Sequence, residues 1–137
     1  MRKKAICGVL VALLLVFAST TALAADTRAS SRIMSYNAEL RVGSDKDLNI
    51  YFSVAACSTM DIIGANRIDI QRYNGSRWNT ECTLTVEDEP EMQTSDAARH
   101  SAIISYEPDY SNSNYRAVVT IYAKDSLGSS EVQATTK

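Results

Sequence analysis

Residues 48 to 73, "LNIYFSVAACSTMDIIGANRIDIQRY", decide how this chain folds. At the start Leu48, Ile50, Phe52, Val54 and Ala56 alternate with Asn49, Tyr51 and Ser53, the period of a half-buried strand. Near the end Ile68 and Ile70 restart the alternation. Between them, "STMDIIGA" at 58 to 65 holds Met60, Ile62 and Ile63 near helical spacing, with Ser58 or Thr59 placed as a cap and Gly64 as a stop. The stretch predicts two strands joined by a single helical turn that crosses one end of a sandwich and plugs its core.

The flanking sequence continues the period of two. Tyr36, Ala38, Leu40 and Val42 precede the turn Gly43-Ser44-Asp45. Trp78, Thr80, Cys82, Leu84 and Val86 read as one face of a strand that follows the hairpin signal Tyr73-Asn74-Gly75-Ser76, where Asn and Gly tolerate positive φ. Ala102, Ile104 and Tyr106 mark a fifth strand, Tyr115 to Ala123 a sixth and Val132 to Thr136 a seventh. In the sixth, Tyr115, Ala117, Val119, Ile121 and Ala123 take the core face, so Val118, Thr120 and Tyr122 point outward. The proline and carboxylates of "EDEPEMQTSD", 87 to 96, place that segment on the surface. About seven short antiparallel strands with regularly spaced turns predict an all-β sandwich.

The N-terminus reads as a leader. Arg2, Lys3 and Lys4 precede an apolar run from Ala5 to Ala18, and Ala22-Leu23-Ala24 supplies the small-residue exit that signal peptidase accepts. Residues 1–24 are therefore expected to be removed, with cleavage after Ala25 as the second choice, leaving 25–137 as one domain. Cys7 lies inside the apolar run without a lipobox, which argues against a lipid anchor. The expected compartment is extracellular.

Removing the leader takes three basic residues. Eleven then stand against 16 acidic ones, a net charge of −5 with His100 neutral. That balance argues against nucleic acid and against anionic membrane surfaces as partners. Two cysteines remain, Cys57 and Cys82. In an oxidising compartment they can form one disulfide, closing a loop of about 26 residues for ~3 kcal/mol, or stay as two separate buried thiols.

Catalytic chemistry finds little support. His100 is the single histidine, so a Ser-His-Asp arrangement or a cysteine nucleophile would rest on it alone, with no local signature. Glu87, Asp88, Glu89, Glu91 and Asp96 could offer oxygens to Ca²⁺, but no EF-hand spacing is present and acidic loops are usually solvated surface. The sequon Asn74-Gly75-Ser76 is better explained as a turn. No enzymatic role, cofactor or metal is expected.

"IDIQRYNGSRW" resembles the hairpin between the C and C′ strands of fibronectin type III-like domains, and "YRAVVTIYAKDSLGSS" is similar to their F strand and F–G turn. Tyr115 resembles the tyrosine corner, whose hydroxyl bonds back to nearby backbone. The chain from 25 onward also resembles small secreted proteins of Gram-positive bacteria carrying "TMDxIGAxxIxIQ" and a closing "YRAVVTIYAKDSxGSS". The resemblance implies an immunoglobulin or fibronectin III-like fold and secretion. It implies no mechanism.

If that strand order holds, Tyr73 and Tyr122 share a sheet, and Trp78 stands across the hairpin from Tyr73. Aromatic rings beside Arg72 or Arg77 are the residue types that anchor protein interfaces and stack on sugars. The competing reading is ordinary cross-strand packing of Tyr73 on Trp78. The expectation is a non-catalytic binding module for an extracellular protein or glycan, using Tyr73, Trp78 and Tyr122. The alternative is a self-associating extracellular structural or matrix component.

Overall fold

In the computed structural model, which describes residues 32–110 and 112–136, the stretch 48 to 73 is one continuous strand. The elements are β1 (Ile33–Val42), β2 (Leu48–Tyr73), β3 (Trp78–Thr85), a 3-10 turn (Pro90–Met92), β4 (Gln93–Tyr106), β5 (Tyr115–Asp125) and β6 (Gly128–Thr135). The leader at 1–24, its exit at Ala24 or Ala25, and Cys7 lie outside the described residues. The seven expected strands become six because the second and third are joined.

β2 is paired along both edges and antiparallel to every neighbour. On one side β1 covers its beginning, with Leu40 opposite Ile50, and β5 covers its end, with Val119 opposite Ile68. On the other side β4 runs from Leu48 to Gly64 and β3 from Arg67 to Tyr73. β6 adds to the far edge of β5. The single sheet thus has a three-stranded part, β1-β2-β4, and a four-stranded part, β3-β2-β5-β6, with β2 common to both. Curling wraps the inner faces of the two parts around one contiguous core.

The expected helical turn at 58 to 65 is absent, and two irregularities explain why it was suggested. Between Ala55 and Met60 β2 advances five residues while β4 advances only from Arg99 to Ala97, and between Ala65 and Arg67 it gains one residue on β5. Inward parity changes between Met60 and Ile63, just past the first slip, and again at the second. The inward positions are accordingly Leu48 to Ala56 and Met60 in even register, Ile63 and Ala65 in odd register, and Ile68 and Ile70 in even register again. That broken alternation imitates helical spacing while the backbone stays extended and paired. Gly64 is needed for a close approach, since its φ is +150° and an added Cβ would overlap the Met92 carbonyl oxygen. Met92, from the acidic segment expected on the surface, is itself fully buried.

The core is mostly aliphatic. Ile50, Phe52, Ile63, Ile68, Ile70, Ile104, Val119 and Ile121 are completely excluded from solvent. The inward set expected for β5 is observed, with Ala117, Val119, Ile121 and Ala123 buried, while Thr120, expected on the outward face, is buried too. At the far turn Asp125 accepts N–H bonds from Leu127 and Gly128 at 2.9 and 3.1 Å and pairs with Arg32 at 3.1 Å. These contacts close the β5–β6 hairpin and tie it to the start of β1.

Candidate binding surface at the β2–β3 turn

The hairpin between β2 and β3 turns on Asn74, whose Oδ1 accepts bonds from the Ser76 and Arg77 N–H groups at 2.9 Å each, while Gly75 takes φ +100°. A bulge in β3 then decides which way its side chains face. Ile70 pairs with Cys82 but Gln71 pairs with Thr80, so Glu81 is an extra residue. The slip sends Cys82 and Leu84 into the core and turns Trp78 and Thr80 to the outer face, opposite Tyr73 and Gln71. Trp78, Thr80, Cys82 and Leu84 were expected on one face, and Glu81 separates them.

Tyr73 and Trp78 pack with ring centroids 5.2 Å apart at a tilt of 51°. The Arg116 guanidinium lies 4.5 Å from the centre of the Trp78 ring and donates from Nε to Gln71 at 2.7 Å, which fixes its plane. On the opposite face of β2 the Arg72 guanidinium lies 4.1 Å from the centre of the Tyr110 ring. Tyr73 and Tyr110 are both exposed, Tyr110 at 55%. The outer face thus presents two packed aromatic rings with one held guanidinium plane over the indole, the composition of an interface anchor or of a platform for sugar rings.

Glu81 holds the floor beneath that surface. Its carboxylate accepts the Tyr106 hydroxyl at 2.6 Å, the Tyr115 hydroxyl at 2.7 Å and the Asp109 N–H at 3.2 Å, and stands 3.7 Å from Arg72 Nε. Burial, and then the hydrogen bond to Glu81, push both tyrosine hydroxyls well above the ordinary value of 10.0. Tyr115 also accepts the Tyr110 N–H at 3.2 Å. The upstream backbone contact expected of Tyr115 is therefore made, while its proton is directed at a carboxylate. Sequence reasoning missed Glu81, Arg116 and Tyr110. The available signal was an acidic residue interrupting the apolar and threonine pattern of β3.

Tyr122 stands apart. It pairs with Gly64 and Glu131, seven residues along β5 from Tyr115, a separation of roughly 23 Å at strand rise. Of the three aromatics named from sequence, Tyr73 and Trp78 come together and Tyr122 does not join them. Of the two cysteines, Cys57 is exposed on the irregular part of β2 and Cys82 is buried in β3 opposite Ile70. His100 Nε2–H donates to the Glu91 carbonyl at 2.7 Å and its ring lies 6.0 Å from Phe52, so it fastens the 3-10 turn to β4. An open groove of about 570 Å³ on the outer face of the three-stranded part is bordered by Met34, Tyr51 and Arg99. Among the described residues no group of three or more His, Cys, Asp and Glu is gathered to hold a metal ion.

No family model and no curated protein matches this chain. Among solved structures, the solution structure of a protein described as late embryogenesis abundant (LEA) aligns with a TM-score of 0.48 at 10% identity, covering 90% of this chain and 84% of that one.

Proposed function

We propose that this protein is a secreted, non-catalytic binding module that engages an extracellular protein or glycan through the surface built on Tyr73, Trp78 and Arg116. The observation that carries this reading is the aromatic and guanidinium stack itself. Core packing has no use for an exposed Tyr73 ring on Trp78 with Arg116 laid over the indole, whereas such groups give large contact area at low entropic cost when a partner covers them. The finer fold reading, immunoglobulin or fibronectin III-like, is supported by the pairing order. β1-β2-β4 against β3-β2-β5-β6 is what such a sandwich would have if its second and third strands were fused. Removal of residues 1–24 on export belongs to the same proposal.

The test uses alanine variants of Tyr73, Trp78 and Tyr122, each measured for melting temperature and for affinity to partners retained from secreted and surface material. Loss of ~2 kcal/mol or more of binding at Trp78 or Tyr73, with the fold kept, is the expected result. Tyr122→Ala, distant from the stack, should bind as the parent does. If Trp78→Ala lowers the melting temperature while affinity is unchanged, the stack is cross-strand packing and the reading fails.

A further inference from the structure

Four strands leave one edge unpaired among the described residues: β1, β3, β4 and β6. An unpaired edge is a template for another chain, and proteins usually blunt it with charges, bulges or cover. Three of the four carry such a guard. β3 is interrupted by the Glu81 bulge, β1 shifts register at its start and presents Glu39 and Arg41, ion-paired at 3.0 Å, and β6 begins against Arg32, which bonds Ser130 at 3.3 Å. β4 is different. Beyond the kink at Asp96, where φ is +52°, it runs in unbroken register from Arg99 to Tyr106 with no proline, and Arg99 is its only charged residue there.

The sequence of that edge is self-complementary. Folded back about Ile103, "RHSAIISYE" at 99 to 107 sets Arg99 opposite Glu107, His100 opposite Tyr106, Ser101 opposite Ser105 and Ala102 opposite Ile104. Arg99, Ser101, Ile103, Ser105 and Glu107 are all exposed, and Ile103 shows 61% of its surface. An apolar residue at that exposure, centred between opposite charges at equal spacing, is what an isologous contact requires.

We infer that β4 is a homodimerisation edge, on which a second copy of this chain pairs antiparallel through residues 99 to 107 about a two-fold axis at Ile103. Directly opposed residues in an antiparallel pair point to the same side, so the outer face of one copy continues into that of the other. The two three-stranded parts become one six-stranded sheet. The edge N–H and C=O groups satisfy one another, the two Ile103 side chains meet at the axis, and an Arg99–Glu107 pair closes each end. The inference does not depend on the surface around Trp78, which lies on the four-stranded part.

Sedimentation equilibrium of the full-length protein over a wide concentration range tests it. The expected behaviour is a monomer–dimer equilibrium in which R99E and E107R each weaken association by roughly tenfold or more, while the doubly swapped R99E/E107R returns to within about threefold of the parent. Ile103→Lys sets two ammonium groups at the axis and should leave only monomer. Melting curves on dilute, monomeric samples identify any variant that has lost its fold, and the remaining variants then decide. A protein that is monomeric at every concentration overturns the inference. So does a dimer, or any larger species, that folded R99E, E107R and I103K leave unchanged.

Discussion

Glu81 shows how much one inserted residue can do. As the extra residue of the β3 bulge it aims a carboxylate into the end of the core, where two tyrosine hydroxyls and a backbone N–H converge on it. Replacing it with alanine would leave those donors and Arg72 without their acceptor, at a cost of about 3 kcal/mol or more, measurable by denaturant unfolding. The tyrosines set the direction of the alkaline response. Both hydroxyls hold their protons above the ordinary 10.0 in the folded chain, whereas the unfolded chain releases them there. Their contribution is complete below pH 10 and is lost as pH rises beyond it. Melting temperatures across that range should fall, and Tyr106→Phe should flatten the fall after a cost of about 1 kcal/mol at neutral pH. An unchanged alkaline slope in Tyr106→Phe would show that this network is not its source.

Among the elements, β2 carries most of the architecture, and its most constrained residue is Gly64. It is flanked by Gln93 on one side and Tyr122 on the other, with the Met92 carbonyl pressed against its Cα. Gly64→Ala combines unfavourable φ with a backbone overlap and should cost on the order of 3 kcal/mol in urea unfolding; a stability equal to that of the parent would mean the approach is looser than described. Much of this fold was legible in the sequence. The alternations at Leu48 to Ala56 and Tyr115 to Ala123, and the Asn-Gly turn at 74 and 75, rest on local geometry that any strand or hairpin shares. What escaped was the phase. A bulge leaves no compositional mark beyond a local disagreement between parity and polarity, and at 58 to 65 that disagreement was better matched by a helical turn. The same blindness hid the site. Trp78 faces outward only because Glu81 shifts the register, and Gln71 reaches Arg116 only because β2 and β5 pair across some 40 positions of intervening chain.

For the molecule as a whole, the aromatic and guanidinium surface and the β4 edge belong to different parts of the sheet, so the proposed ligand capture and the proposed self-pairing do not compete for the same residues. The connection between those parts is the shared strand. In a sandwich of two separate sheets either layer can fray while its neighbour persists, but here the ladders of both parts end on one backbone. Withdrawing β2 from β1 and β4 pulls on its bonds to β3 and β5. Amide hydrogen exchange should register this as a single slow class spanning Phe52 to Ile70, with rates that respond together to denaturant, while β1 and β6 amides exchange through smaller local openings. Two distinct slow classes divided near Met60 would instead reveal two subdomains. With both ladders ending on that backbone, a pull applied to β2 at the Trp78 end is expected to loosen the β4 ladder before any side chain between them has to move.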